Sequence, residues 1–308
     1  MDSRQLRYFA AIHEEGSLAR AADRERVAVS ALSRHLANLE AELGCPLFDR
    51  LPRGVRPTAA GHRLYEHARA ILRAMAAAEA DLRDEGREVA GAVSVGMAYS
   101  AVKAIGVTLM QRVLTDYPKL KLSLSESLSG STLLHLLSSE VDLAMVYNPP
   151  QEARLRTQPV LEERMVLLGR PDLIGGTSPI TFDDMLELPL IILRQGLSAR
   201  ALMDDAALLK RLEDRARLQM NSVSAIAGSL LSGIGCAIGT DLFMQEHLES
   251  GALASRPIVS PELNRTLFIC ELADRPATFA LETVRHLCLT LSLDAVASGR
   301  WQSRPVAC

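Results

Sequence analysis

The chain has 308 residues, of which 48% are hydrophobic and 23% are charged, and its net charge is −3. This length allows two or three domains with substantial cores, and the composition is typical of soluble globular proteins. The charge excludes a general attraction to nucleic acid, so any affinity for DNA must come from a local cluster of cations. Because no signal peptide or membrane-spanning run is visible, we expect a cytoplasmic protein with no membrane partner.

Three helices are predicted in the first 43 residues. Residues 30–43 carry leucines at helical spacing on one side and small residues around Arg34 on the other. Such a helix can pack on a core and bring its outer face to another surface, and the DNA major groove admits it. A short helix capped by Ser17 and a tight turn precede it. From periodicity alone, a three-helix packing unit that binds no nucleic acid is the alternative.

A short hairpin is predicted after the third helix. Gly44 ends that helix, and Pro46 prevents its continuation. Residues 49–57 then form two short strands with a Pro/Gly tip and three arginines, including Arg50 and Arg53. These arginines can act as a wing against a phosphate backbone, or they can simply be solvated.

A long helix is predicted from Thr58, as its N-cap, to about residue 88. Its apolar residues alternate by four and three, which is a heptad seam. The seam comprises Leu64, Ala68, Ile71, Met75, Ala78 and Leu82. It can pack on the protein's own body or on a second copy. We favour a second copy, because a symmetric dimer would present two recognition helices to a two-fold related DNA site.

Strands and helices alternate through the rest of the chain. Strands are predicted at 93–97, 120–124, 142–147, 165–169, 189–193, 218–220, 236–239 and 267–271, and helices at 105–117, 131–139, 199–212, 224–231 and 279–291. This order predicts doubly wound open sheets in two lobes. Ligands of such folds bind at strand ends, so the cleft between the lobes is the expected binding site.

No catalytic or metal site is recognisable in the sequence. The five cysteines are scattered without paired spacing, which indicates reduced thiols, although a redox-sensing role for one of them stays open. The glycine-rich residues 232–239 have Ile238 where a dinucleotide loop needs its third glycine. We therefore expect no enzymatic activity, no cofactor and no metal.

The N-terminal sixty residues resemble the LysR-type transcriptional regulators. The matching positions are Phe9, Gly16, Ser17, Ala21, Ala22, Ser30, Leu32, Ser33, Leu39, Glu40, Leu43, Gly44, Leu47, Phe48, Arg50, Pro57, Thr58 and Gly61. The C-terminal half is similar to the effector-binding region of that family in the order of its elements. It also shares short fragments such as residues 141–144 and 232–235.

The resemblance implies an α/β protein with an N-terminal winged helix-turn-helix, a long linker helix and two α/β subdomains of the periplasmic-binding-protein type. The implied boundaries are 1–58 for the DNA-binding domain, 59–90 for the linker, 91–293 for the effector region and 294–308 for a tail. Within the effector region, residues 91–160 plus 266–293 form one subdomain and residues 161–265 form the other. A homodimer or homotetramer is implied, with double-stranded DNA, a small-molecule effector and RNA polymerase as partners.

The candidate DNA-contacting residues fall into two groups. Val29, Ser30, Ser33 and Arg34 are expected to read bases, and Arg50, Arg53 and Thr58 to contact the backbone. Arginine is the usual bidentate reader of guanine, which makes Arg34 the strongest candidate. The family usually has Ser-Gln where this chain has Ala28 and Val29, so a capping hydroxyl and a base-reading amide are missing. Glu25 also stands where an apolar residue is usual.

The candidate effector-binding residues are Ser100, Ser129, Tyr147, Arg194, Gln195 and Thr240. In the resemblance, Ser100 and Ser129 fall where family members place hydroxyls against a carboxylate, although each serine can instead be a simple helix cap. Arg194 is the only cation in this set, so it favours an anionic ligand. Two alternatives stay open: a solute-binding or enzymatic α/β protein with a helical appendage, and a DNA-binding regulator without a small-molecule ligand.

Overall fold

The computed structural model describes residues 1–51, 54–83, 89–193 and 205–306. The chain divides into two compact units. The N-terminal unit is formed by residues 1–85 with 138–140, and the C-terminal unit by residues 86–137 with 141–308. Among the described helices, none is both long and apolar enough to cross a bilayer.

The N-terminal unit begins with the three predicted helices, α1 (Ser3–Glu15), α2 (Leu18–Glu25) and α3 (Val29–Leu43). The Ser17 hydroxyl accepts a hydrogen bond from the Arg20 amide, which confirms the predicted cap of α2. Helix α3 ends at Gly44 in the left-handed conformation, also as predicted. The apolar faces of the helices enclose a core that includes Phe9, Ile12, Leu32, Leu39 and Leu47.

Strands β1 (Phe48–Leu51) and β2 (Gly54–Pro57) pair as the predicted antiparallel hairpin. The hairpin is fixed against the turn between α1 and α2, because the Val55 amide donates to the Gly16 carbonyl at 3.0 Å. Gly54 has a φ of 109°, and a Cβ atom there would lie 2.4 Å from the same carbonyl oxygen. Only glycine therefore fits this contact.

Helix α4 (Ala59–Arg83) follows, and Thr58 caps it by accepting a hydrogen bond from the Gly61 amide at 3.0 Å. The predicted heptad seam is divided along its length. Ala68 is fully buried in the core of the N-terminal unit, whereas Ile71 and Met75 are 39% and 43% exposed. The first half of the seam thus packs on the protein's own core, whereas Ile71, Met75 and Ala78 present their side chains to solvent.

The C-terminal unit contains two lobes, each built on one sheet. Its strands are β3 (Gly91–Met97), β4 (Leu120–Glu126), β5 (Leu143–Tyr147), β6 (Leu155–Arg164), β7 (Val166–Gly169), β8 (Ile180–Thr181), β9 (Leu190–Leu193), β10 (Leu218–Met220), β11 (Cys236–Gly239), β12 (Ala254–Val259), β13 (Asn264–Leu272) and β14 (Arg304–Pro305). Among the described residues, the first-lobe sheet has the order β14-β6-β13-β5-β3-β4 and the second-lobe sheet has the order β10-β9-β11-β7-β12-β8. Both sheets mix parallel and antiparallel pairs.

The helices of this unit are α5, α6 (Ser129–Leu137), α7 (Pro171–Ile174), α8 (Phe182–Met185), α9 (Ala206–Arg215), α10 (Val223–Leu231), α11 (Gln245–Glu249) and α12 (Phe279–Ala297), with a 3-10 turn at Asp241–Met244. Helix α5 consists of Tyr99–Ala101, a π-helical stretch Val102–Gly106 and Val107–Asp116. Part of the helix predicted over 199–212 lies outside the described residues. The closing helix, predicted to end at residue 291, continues to Ala297 because Ala295 is still in the core.

Candidate functional site

The outer face of α3 carries the residues expected to read bases. Val29, Ser30 and Arg34 are exposed and Ser33 is half-buried, while Leu32 on the opposite face is fully buried. Helical spacing explains this separation, since positions three and four apart share a face. The structure therefore places these four predicted residues together on one solvent-facing surface.

The arginines of the N-terminal unit differ in whether they are paired. Three arginines on α1 and α2 make ion pairs with glutamates, at 3.0 Å for Arg7 with Glu25, 3.6 Å for Arg20 with Glu15 and 2.5 Å for Arg24 with Glu14. In contrast, the side chains of Arg34 and Arg50 are exposed, and neither side chain hydrogen-bonds or ion-pairs with another described residue. Residues 1–58 contain nine arginines and eight acidic residues. The positive potential of residues 1–58 is therefore set by the arginines whose side chains are unpaired.

Two further arginines have unpaired side chains: Arg26 was missed from the sequence, and Arg56 is the third arginine of the predicted wing. The side chains of Arg26 and Arg56 are exposed and form no hydrogen bond or ion pair within the described chain. Arg26 ends α2 with a φ of 55°, immediately before α3, and Arg56 lies on β2 opposite Asp49. The position of Arg26 in a turn was the available signal for it, because side chains there point away from a core.

Around the start of α3 lie the positions at which this chain departs from the usual sequence of the family. Ala28 is the N-cap and provides no side-chain hydrogen bond, which confirms the expected loss of a capping hydroxyl. Glu25 is held by Arg7, and only 14% of its side chain is exposed. The Thr58 hydroxyl donates to the Pro46 carbonyl at 2.8 Å, so its proton is already used within the protein. Arg53 lies outside the described residues.

In the C-terminal unit, the structure brings four predicted residues together in one cleft between the lobes. Ser100, Ser129 and Tyr147 contribute from the first lobe and Thr240 from the second. The rest of the described lining is mainly apolar and includes Ile191, Ile192, Ile226, Ile238 and Phe243. The enclosed space is small, about 70 Å³. The predicted residues Arg194 and Gln195 lie outside the described part of the chain.

The four hydroxyls of this cleft are not equivalent. The Ser129 hydroxyl accepts from the Tyr147 amide at 3.1 Å, and the Ser100 hydroxyl accepts from Arg265 at 2.9 Å. The Tyr147 and Thr240 hydroxyls are buried and form no hydrogen bond of good geometry with a described residue, although Glu163, Arg265 and Ser100 lie near the Tyr147 hydroxyl. Burial raises the pKa of Tyr147 well above its ordinary value, and the nearby Glu163 carboxylate acts in the same direction. Two buried hydroxyls of the cleft thus remain available to a ligand.

Arg265 is the cation of the described lining, and it was not predicted. Its Nε atom lies 2.8 Å and its Nη2 atom 2.7 Å from Oε2 of Glu163, its direct neighbour across β13 and β6. Its guanidinium also stacks over the Tyr147 ring at 3.7 Å. Alternation along β13 places Arg265 on the same face as Leu267 and Ile269, which are buried. That pattern was the signal in the sequence.

Glu163 is held from its other side by the C-terminal segment. The indole Nε1 of Trp301 donates to Glu163 Oε1 at 2.5 Å, and Trp301 itself is buried. Both carboxylate oxygens of Glu163 are therefore hydrogen-bonded. Burial works against the charge of Arg265, but the Glu163 carboxylate outweighs it and the pKa of Arg265 is raised.

The described residues give no support for a metal site or for reactive buried thiols. No group of three or more His, Cys, Asp or Glu side chains within them could hold a metal ion. Cys236, Cys270 and Cys288 are buried, and burial raises the pKa of each thiol to about 12. Because the thiolate is the reactive form, these thiols are unreactive at neutral pH.

A winged helix-turn-helix with free arginines, followed by a two-lobed α/β unit, is the architecture of a DNA-binding transcriptional regulator. Residues 3–62 match the bacterial regulatory helix-turn-helix proteins of the lysR family, and residues 86–292 match the LysR substrate binding domain. The chain is 35% identical over 240 residues to the nitrogen assimilation regulatory protein nac of Klebsiella aerogenes, covering 77% of this chain and 78% of that protein. The chain belongs to the LysR family of transcriptional regulators, which are not enzymes.

Solved structures show the same fold. A full-length OxyR variant from Pseudomonas aeruginosa has a TM-score of 0.69 at 22% identity, covering 96% of this chain and 94% of that one. Full-length CbnR in complex with its target DNA has a TM-score of 0.64 at 21% identity, covering 97% of this chain and 99% of that one. The combination of an N-terminal helix-turn-helix and two α/β lobes is thus shared with full-length LysR regulators.

Proposed function

We propose that this regulator reads a specific operator through the exposed face of α3 and that a small molecule in the interlobe cleft controls its DNA binding. One observation carries the DNA-reading part of the proposal. Arg34 is exposed and free of described partners on the same face as Val29, Ser30 and Ser33. A free guanidinium on a helix that fits the major groove can donate two hydrogen bonds to guanine.

The other contacts divide into base and backbone roles. Val29 is 46% exposed and can touch a thymine methyl group, in place of the amide that the family usually has there. Arg50 on the hairpin, together with Arg26 and Arg56, is assigned to phosphates, which position the protein without reading sequence. Arg53 stays a prediction of the same kind. Thr58 can contribute to the backbone contact only through its lone pairs or amide, because its hydroxyl proton is donated to Pro46.

Self-association is supported by two exposed apolar stripes. Ile71, Met75 and Ala78 continue the heptad seam of α4 on its exposed part, where a second α4 can pack against them. Val107, Met110 and Leu114 form a second stripe on α5, and they are 64%, 42% and 78% exposed. Two separate stripes fit a dimer of dimers. RNA polymerase as a further partner stays a prediction from the family resemblance.

Control by the cleft requires a ligand with different affinities for two arrangements of the protein. The cleft is suited to such a ligand, because both lobes line it and buried hydroxyls in it lack partners. The prediction of an anionic ligand depended on Arg194, which lies outside the described residues, and on the family resemblance that places Ser100 and Ser129 against a carboxylate. The charge of the ligand is therefore inferred from the described lining instead.

Footprinting of the full-length protein on genomic DNA, with and without cell extract fractionated by size, tests this function. We expect protected sites with two-fold symmetry, and a change in protection caused by the small-molecule fraction. A change caused only by the protein fraction would favour a regulator without a small-molecule ligand. Absence of any protected site would contradict the proposal.

A further inference from the structure

We infer that the cleft selects a compact, uncharged molecule that carries a hydrogen-bond acceptor on an apolar body. The inference rests on the proposed function, because it names the chemical class of ligand for the same cleft. It follows from the charge balance of the described lining. Arg265 is the only cation among the described lining residues, and Glu163 neutralises it from within the protein.

The cost of a second carboxylate explains the selection. The side chains of Arg265 and Glu163 are only 11% and 1% exposed, and the two groups meet at 2.7 Å. A ligand carboxylate placed on Arg265 would bring two negative groups to one positive group in a buried site. Buried charges without a partner are strongly unfavourable, because the surroundings replace little of their lost hydration. A neutral acceptor avoids this penalty.

The pair cannot easily open to admit an anion. Trp301 holds Oε1 of Glu163, and the Tyr147 ring lies against the Arg265 guanidinium. The two charged residues are also direct neighbours in the β6-β13 ladder, which fixes their backbones. Glu163 therefore remains the partner of Arg265 unless three contacts are broken together.

The groups left for a ligand are suited to a neutral acceptor. The contacts of Arg265 to Glu163 and Ser100 use its Nε and Nη2 atoms, so Nη1 remains a donor without a described partner. The Tyr147 and Thr240 hydroxyls can each donate one further hydrogen bond. The surrounding isoleucines favour an apolar body, and the space of about 70 Å³ favours a compact one. Amides, ketones and alcohols of a few carbons meet these conditions.

Propionamide and propionate test the inference, because they have nearly the same shape and differ in charge. Full-length protein is titrated with each probe to high millimolar concentration, since so small a molecule binds weakly. Sodium propionate is compared with sodium chloride at equal ionic strength. Calorimetry and the fluorescence of Trp301, the only tryptophan in the chain, report binding. We expect saturable binding of propionamide to the wild type, and no more effect from propionate than from chloride.

Glu163→Gln is the informative variant, and Glu162→Gln is its matched control. The first leaves Arg265 as an unpaired cation, so we expect propionate affinity to rise by about tenfold or more. Glu162 lies one residue away on β6, where it pairs with Arg304 at the surface, so its variant should behave like the wild type.

Three results would overturn the inference: a wild type that prefers propionate, a Glu163→Gln variant that gains no affinity for it, or no saturable binding of either probe to either protein. If Glu163→Gln fails to fold, the comparison of propionamide with propionate on the wild type still tests the inference. A preference for propionate would leave the proposed function intact, because the cleft would still hold a ligand. Absence of any footprint response to the small-molecule fraction would contradict both the proposed control by the cleft and this inference.

Discussion

The two units of this regulator use arginine in opposite ways. Arg34 on α3 is exposed and has no described partner, whereas Arg265 in the cleft is enclosed by Glu163, Ser100 and the Tyr147 ring. In water, an unpaired guanidinium remains well solvated, and it gains when a polyanion displaces counterions. A buried guanidinium needs an internal partner. Exposure and pairing, rather than residue type, thus decide which arginine can meet DNA and which is already paired within the protein.

The largest effect is expected from breaking the buried pair. Glu163→Ala leaves Arg265 charged without its partner, and we expect a loss of about 3–5 kcal/mol in the stability of the C-terminal unit. Unfolding followed by circular dichroism measures this loss. Glu162→Ala removes an exposed ion pair from the same strand and should change stability by less than about 1 kcal/mol. Similar losses in the two variants would show that burial does not distinguish these pairs.

A smaller effect is expected from the residue that supports this pair. Trp301→Phe keeps most of the buried ring but removes the donor to Glu163 Oε1, so we expect a loss of about 1–3 kcal/mol. Circular dichroism is the suitable measurement, because the variant has no tryptophan. In the double variant that combines Trp301→Phe with Glu163→Gln, the two losses of stability should not add, since both substitutions act on one hydrogen bond. Strictly additive losses of stability would show that Trp301 does not act through the charged pair.

On the DNA side, removing a phosphate contact should have a modest and uniform effect. Arg50→Ala should weaken binding to specific and random duplexes alike. It should also reduce the slope of log affinity against log salt concentration by about one. Titrations at several salt concentrations measure this slope. The control is Arg24→Ala, because Arg24 is already paired with Glu14. An equal change of slope in the control would mean that pairing does not decide which arginines meet DNA.

The smallest effect is expected at the buried thiols. Burial raises the pKa values of Cys270 and Cys288 to about 12, so both remain protonated at pH 8 and are not nucleophiles. We expect no alkylation of either residue in the folded protein and rapid alkylation after unfolding, with mass mapping as the measurement. Rapid labelling of Cys270 in the folded state would reopen a redox role for this thiol.

The sequence predicted the N-terminal unit well because its signals are local. Leucine spacing within α3, the Ser17 cap and the glycine at the end of α3 are each encoded within a few residues. The heptad seam was only half predictable. Its spacing identifies an apolar stripe on α4, but whether Ala68 or Met75 is covered by the protein's own core depends on packing from distant segments.

The buried group of Arg265 with its partners Glu163 and Trp301 was not predicted because the three residues come from distant segments. Glu163, Arg265 and Trp301 meet only through antiparallel pairing of β6 with β13 and through the returning C-terminal segment. A single charged residue on a buried strand face is a weak signal unless its partner strand is known. The hydroxyls at strand ends were easier to place, since the fold itself directs them to the cleft.

DNA binding by Arg34→Ala tests the central claim most directly. Affinities of the wild type and the variant are measured for a footprinted duplex and for a random duplex at matched salt. We expect the variant to lose about 1–3 kcal/mol on the footprinted duplex and little on the random one, so that the specificity ratio falls. Equal losses on both duplexes would make Arg34 a backbone contact and would contradict sequence reading by α3.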